Sequence, residues 1–442
     1  MTRKIKLGAF LPGSGQHIAA WRHPDQPADG NTSLEFHKRL AQTAEKGLFD
    51  AYFFADGLSL EFNGANPGSS AKAAGFEPVT LCSALSMSTT HIGFISTCTT
   101  SYEEPFNTAR KFASLDLISD GRAGWNVVTT FGDAAAKNFG KETQPSHSER
   151  YQRAGEFVEV VKKLWDSFED DAFIRDRESG NFYDPEKLHV ADHAGEFFKV
   201  RGPLNVPRSP QGHPVIVQAG QSAEGLDFAA SVAEVVFTSH HDLQSAQDVY
   251  RDIKARAAAK NRDPNHVLVL PGLAPFVGRT MEEAKAKYDR ISALVREEDG
   301  VVALQRLLEK TIDLSKCDLD GPLPPAAATE GAQSRQELLH RTARENNFTI
   351  RQLYQWVATA RGHHTVIGTP EMIADIMQEW FENEAADGFN ILPPWLPDGI
   401  DSFIELVIPE LQRRGIFRTA YEGKTLRENL GLPFPVNRYA QA

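Results

Sequence analysis

The sequence predicts an α/β chain, a parallel (β/α)8 TIM barrel carrying insertions. Three observations predict it. Short β-type runs alternate strictly with helical runs, and the alternation repeats eight times. The chain has 442 residues, well beyond the ~250 of such a barrel, so insertions must supply the rest. Strict alternation implies parallel strands joined by helical crossovers. An open doubly wound sheet is the rival, but eight repeats and the lack of a Gly-x-Gly-x-x-Gly turn after the first strand count against it.

The units follow in order. Ile5–Phe10 is a short strand, and Leu34–Lys46 is a helix with Leu34, Phe36/His37, Leu40, Ala41 and Ala44 at helical spacing and Gly47 as its C-cap. Asp50–Asp56 is the second strand, apolar enough to be buried on both faces. Ile92–Cys98 is the third, followed by the helical run Phe106–Ile118, and the fourth strand lies within Gly121–Thr130. The clearest helix is Glu149–Trp165, where Tyr151, Ala154, Phe157/Val158, Val161 and Leu164/Trp165 form one stripe. Pro214–Ala219, Glu234–Thr238 and Val267–Leu270 are each followed by a helical stretch. Gly388–Leu392 precedes the last helix, Ser402–Arg414. The whole reads as one barrel domain, 1–442, with insertions at about 168–213 and 296–365. The second includes the soft, Pro-rich stretch Gly321–Gly331, and both are candidates for a lid over the barrel mouth.

Composition narrows the function. Hydrophobic residues make up 41% and charged residues 24%, the balance of a globular protein rather than a disordered one. The net charge of −12, with no basic patch, argues against nucleic acid as a partner. Cys82, Cys98 and Cys317 give neither a disulfide framework nor metal-ligand spacing. The N-terminus lacks an apolar signal core, and no run approaches the ~18 apolar residues of a membrane span. A soluble, cytoplasmic protein is expected, with no membrane partner.

In this fold chemistry sits at the C-terminal ends of the strands. Reading those ends gives Asp56, Ser96/Thr97, Thr99/Thr100 and Asn126, then Gln218–Ser222 and Thr238–His241. The set is polar and mostly neutral, which suits a heteroaromatic ring with a phosphate better than a metal. Each residue also has a plainer role open to it. Asp56-Gly57 fits a turn with a capping carboxylate, Thr97 fits a buried strand, and Asn126 fits a loop brace. Ser222 fits an N-cap for Ala223–Val232, a position that also stabilises an anionic phosphate. His147 and Tyr151, at i and i+4, can both point to the mouth; otherwise Tyr151 starts the buried stripe and His147 is solvated. The adjacent pairs His240-His241 and His363-His364 would splay to opposite faces of a strand, so no metal site is expected. No nucleophile elbow or P-loop is present.

Further blocks carry a resemblance. They are Trp21-Arg-His-Pro24, Ala41-Gln-Thr-Ala-Glu-Lys-Gly-Leu-Phe-Asp50, Phe54-Ala-Asp-Gly57, Glu104-Pro-Phe106 and Leu115-Asp-Leu-Ile-Ser-Asp-Gly-Arg-Ala-Gly-Trp-Asn126. His147-Ser-Glu-Arg-Tyr151, Gly202-Pro-Leu-Asn205, Gln218-Ala-Gly220, Ile367-Gly-Thr-Pro370, Ala386-Asp-Gly-Phe389 and Leu426-Arg-Glu-Asn-Leu-Gly-Leu432 continue it almost to the C-terminus. In order and spacing these resemble the nitrilotriacetate monooxygenase family, which also holds the dibenzothiophene-sulfone and pristinamycin oxygenases, within the luciferase-like flavin-dependent monooxygenases. The resemblance implies an insertion-bearing barrel and FMN, delivered as FMNH2 by a separate NAD(P)H-dependent flavin reductase. It implies that dioxygen adds at flavin C4a and that one oxygen atom passes to a small nitrogen- or sulfur-containing substrate.

Carried over residue by residue, Asp56, Thr97, His147, Tyr151 and Ser222 match FMN-binding positions, and Asn126 is added on position alone. No catalytic acid or base is assigned; His17 and His241 are the candidates within reach of the mouth. Arg22, Arg122 and Arg201 fall near plausible mouth loops and would suit a polyanionic substrate. A homo-oligomer is expected. Two other readings keep the barrel: a deazaflavin-dependent hydride-transfer enzyme, and a non-catalytic flavin-binding barrel.

Overall fold

The computed structural model describes residues 3–60, 68, 70–130, 132–308, 311–325, 333–360 and 362–440. Nine parallel strands form one sheet: β1 (Lys6–Phe10), β2 (Ala51–Phe54), β3 (Gly93–Thr99), β4 (Ala123–Val128), β5 (Val215–Gln218), β6 (Val235–Thr238), β7 (Leu268–Val277), β8 (His364–Gly368) and β9 (Gly388–Ile391). Each of β1 to β6 pairs with the next strand in the chain. β6 pairs with β7, β7 with β9, and β9 returns to β1, so eight strands close a barrel. β8 lies outside the ring, paired to the far half of β7, residues 273–277. All eight predicted units are present.

The helices coat the barrel: α1 (Leu34–Lys46), α2 (Pro78–Ser86), α3 (Pro105–Ile118), α4 (Asp133–Asn138), α5 (His147–Trp165), α6 (Ala223–Val232), α7 (Leu243–Ala259) and α8 (Met281–Ser292). α9 (Glu297–Leu307), α10 (Gln333–Glu345), α11 (Ile350–Ala360) and α12 (Pro370–Glu382) follow. The last long helix starts as α13 (Asp398–Ser402), widens to a π-turn at Phe403–Val407 and finishes as α14 (Ile408–Arg413). Pro409 explains the wide turn. It has no N–H to donate, and its ring would crowd the carbonyl of Glu405. A final short helix, α15 (Leu426–Leu430), carries a Thr425/Glu428 capping box.

Side-chain parity along the strands separates two cores. Trp125 and Val127 of β4 face outward; Trp125 packs against Phe112, Phe157 and Trp165 and donates to the Cys98 carbonyl at 3.0 Å. The alternate positions Ala51, Phe53, Ile95, Val215, Val217 and Phe237 face inward. The foot of the barrel is closed by α15, whose Leu426 packs where Cβ atoms on Gly93 and Gly124 would otherwise sit.

Two expectations need correction. β7 runs on past Leu270 through Pro271 and Gly272, where the sequence pattern breaks, because β9 and β8 pair with residues 272–277; the bare Gly272 leaves room for the His363 ring. Residues 166–214 do not cover the mouth. They run along α5 and the C-terminal tail: Glu156 of α5 takes the Phe197 and Phe198 N–H groups, and Asn437 donates to the Asp166 and Phe168 carbonyls. The helical insertion does reach the rim. α9–α11 build a core of their own around Leu304, Leu308, Leu353 and Tyr354. They also touch the barrel where the Ile18 N–H donates to the Ala358 carbonyl and Arg341 donates to His241. Of the Pro-rich stretch, residues 326–331 lie outside the described residues.

Candidate active site

The C-terminal rim gathers the site residues into two groups. The first stands inside the barrel on β3 and β4, where Thr97 and Asn126 are register partners. Asn126 donates its amide N–H to Thr97 Oγ1 at 2.8 Å, and Thr97 donates to the Phe54 carbonyl at 2.6 Å. Both side chains are buried, and Asn126 Oδ1 has no partner among the described residues. Further along the same inward face lie Phe10, Phe53 and Phe237, packed edge to face with centroids 5.1–6.1 Å apart. His363 stacks flat on Phe237 at 5.1 Å.

The second group forms where α5 and α6 begin. Ser222 caps α6, accepting the Gly225 N–H at 3.0 Å. Its hydroxyl lies 3.3 Å from His147 Nε2, and His147 is the first residue of α5. His147 Nδ1 sits 2.9 Å from a Glu224 carboxylate oxygen, which places the proton on Nδ1 and fixes the ring. The Tyr151 ring packs 5.0 Å from His147. Its hydroxyl reaches bare backbone: a Cβ on Gly220 would lie 2.7 Å from it, and one on Gly225 3.0 Å. Two helix amino ends therefore meet beside two hydroxyls, an arrangement that favours an anion. Asn126 of β4 is the register partner of Val217 in β5, and Gln218–Ser222 follow directly, so the two groups occupy adjacent stations of one rim.

Asp56 stands apart at the end of β2, exposed, with the Gly57 N–H on its Oδ1 at 2.8 Å. Desolvation by the surrounding protein raises its pKa; the Gly57 N–H opposes this, and Glu77 and Glu103 add to it. The cap reading of Ser222 is thus realised; Asp56 holds the N–H of its neighbour Gly57, and residues 61–67 that follow lie outside the described residues, while the place of both on the rim leaves them open to a ligand. His17 is buried, accepts the Ala19 N–H on Nδ1 and is pushed down to about 3 by desolvation. His241, on the rim, accepts from Arg341 and is also lowered by burial, so neither is a ready cation. Arg122 is misplaced in the sequence reading. It precedes β4 at the foot, donating to the Ser86, Ser119 and Ile92 carbonyls. Among the described residues no three His, Cys, Asp or Glu side chains form a metal-holding group, and no helix is long and apolar enough to cross a membrane. The aromatic layer below the mouth was missed by the sequence reading, although its signal, aromatics at alternate strand positions, is in the chain.

A closed parallel barrel with its polar groups concentrated at the strand ends defines the class, a βα-barrel enzyme working from its C-terminal rim. Comparison with known proteins makes the class specific. The model of the luciferase-like monooxygenase family matches residues 15–387, and the chain belongs to that family. It is 52% identical to the N-acetyl-S-(2-succino)cysteine monooxygenase of Bacillus subtilis (strain 168), over 99% of both chains. It is 48% identical to nitrilotriacetate monooxygenase component A of Aminobacter aminovorans, again over 99% of both. The crystal structure of DmoA from Hyphomicrobium sulfonivorans superposes with a TM-score of 0.87 at 33% identity, covering 97% of this chain and 92% of that one. The protein is a flavin-dependent monooxygenase.

Proposed function

We propose that the chain is the oxygenase half of a two-component system, taking FMNH2 from a separate NAD(P)H-dependent flavin reductase and oxidising a small nitrogen- or sulfur-containing compound. The observation that carries this is the meeting of the α5 and α6 amino ends at Ser222, His147 and Tyr151, next to the Thr97–Asn126 pair. These residues fit FMN. The helix ends and the Ser222 and Tyr151 hydroxyls suit the phosphate, and the bare Gly220 and Gly225 leave it room. The unpartnered Asn126 Oδ1 and the exposed Asp56 suit the polar edge of the ring.

When bound, the reduced flavin supplies the electrons that activate dioxygen. The chain's own residues bind, orient and exclude water. Glu224 holds the His147 ring in place at the phosphate end, and Thr97 holds the Asn126 amide. The aromatic layer beneath the mouth keeps that end of the barrel dry. α9–α11, leaning on the ends of β1 and β6, serve as the lid.

Two relatives support the partner and the substrate class. One is named component A, which implies a second component, and the pair are named for an amine and a thioether. The test is reductase-dependent oxygen consumption coupled to product, screened over small amines, thioethers and sulfones. Coupled turnover with one of them is expected. Retention of oxidised FMN through purification, with no reaction of the reduced complex with oxygen, would identify a storage protein instead. Binding specific to a deazaflavin would point to hydride transfer.

A further inference from the structure

The Thr97–Asn126 pair contains more information than its position. Thr97 Oγ1 lies 2.6 Å from the Phe54 carbonyl oxygen. Two oxygens that close need a hydrogen between them, and a carbonyl has none, so Thr97's only proton is committed to Phe54. Toward Asn126 the hydroxyl can then only accept, and the amide group 2.8 Å away must be the NH2. The orientation of the Asn126 amide is fixed by this chain of bonds. Its Oδ1 points elsewhere, in a side chain only 3% exposed, and finds no donor among the described residues. Buried acceptors are nearly always paired, so this one calls for a donor from outside the described residues, and its place on the rim beside the α5–α6 anion pocket puts a ligand in position to bring it.

We infer that Asn126 Oδ1 reads the oxidation state of the flavin, accepting a hydrogen bond from the N5–H that the isoalloxazine ring carries only when reduced. The inference rests on the FMN reading above and deepens it. Oxidised flavin presents a lone pair at N5, and an acceptor facing an acceptor is repulsive, so the locked amide disfavours that state. N3–H exists in both states and would give no discrimination. A barrel biased in this way captures FMNH2 from its donor and releases FMN once the oxygen has been transferred. Thr97 acts through Asn126 as a positioning residue: without its hydroxyl the amide is free to turn over and offer its NH2 to oxidised N5.

Dissociation constants for FMN and for FMNH2 (the latter under anaerobic conditions) test this, together with the midpoint potential of the bound flavin. The wild type should bind FMNH2 more tightly. Asn126→Ala should lose tenfold or more in FMNH2 affinity while FMN binds as well or more tightly, lowering the bound potential by about 30 mV for each tenfold change in the ratio of the two constants. Thr97→Val should tighten FMN and lower the potential as well, the result that a merely structural hydroxyl would not give. Equal weakening of both oxidation states with an unmoved potential would overturn the inference while leaving the FMN site standing. A wild type that binds neither state would overturn the FMN reading itself.

Discussion

The two ends of the barrel treat polarity in different ways. At the foot, Arg427 is almost fully buried, yet it pairs with Glu234 and donates to the His213 and Pro433 carbonyls. Close by, Asp116 takes the Ala123 N–H at 2.8 Å and the Gln211 amide at 2.7 Å. Leu426 and Leu430 of α15 seal the space between. At the mouth, Asn126 Oδ1 has no donor among the described residues, and Asp56, His147 and Ser222 stay open to solvent. At the foot most of this polarity is met by counter-charge, hydrogen bonds and packing, although Arg427 Nε and Asp116 Oδ2 have no partner among the described residues. The mouth keeps hydrogen-bonding capacity in reserve, which is what a ligand needs. Polarity and burial alone therefore do not mark a site, and neither does a single unmet valence; an unmet valence beside polar groups open to solvent does.

Perturbing each end should separate stability from binding. The largest effect is expected for Arg427→Met, which strands Glu234 without its counter-charge and should cost about 3–5 kcal/mol in urea unfolding. The affinity of the remaining folded protein for FMNH2 should not change; a parallel loss would mean that the two ends are coupled. Leu426→Ala should cost about 3 kcal/mol by opening a cavity under Gly93 and Gly124, again without touching flavin affinity.

Asp116 gives the comparison a pH dependence. Burial raises its carboxyl to about 6, above the ~3.9 of an unfolded chain. The protonated form therefore favours the fold below about pH 4, and that contribution is lost as pH rises through about 6. Asp116→Asn should gain on the wild type by ~2–3 kcal/mol between pH 4 and 7.5, read from unfolding curves at both pH values. A constant difference across that range would show that the carboxyl titrates normally. At the mouth, His147→Phe and Tyr151→Phe should each weaken FMNH2 about tenfold, or about 1.4 kcal/mol, with unfolding midpoints unmoved. Unchanged affinity in both would remove them from the phosphate contact.

Much of the ring was legible because each strand announces itself locally. Ala51-Tyr-Phe-Phe54 and Val215-Ile-Val-Gln218 are short apolar runs bounded by turns, and the helix stripes between them fix the parallel order. Reading failed where a distant residue decides. Pro271-Gly272 looks like a strand end until β9 and β8 are seen paired to residues 272–277. Residues 168–213 looked like a lid, but Glu156 and the tail around Asn437 draw them to the outer wall. Arg122 looked like a mouth residue, although it sits before its strand rather than after it and so belongs to the foot.

By itself the sequence determined the eightfold alternation, the helix cap at Ser222, and which neutral polar residues stand at the strand ends. These are written in neighbouring residues, because hydrogen-bond period and side-chain parity act over a few positions. Only the tertiary structure decided that Phe54, Thr97 and Asn126 form one chain of bonds, and that the amino ends of α5 and α6 meet at His147 and Ser222. Those contacts join residues 29 to 75 positions apart. Barrel closure and strand register set them, and neither leaves a mark in any local stretch of chain.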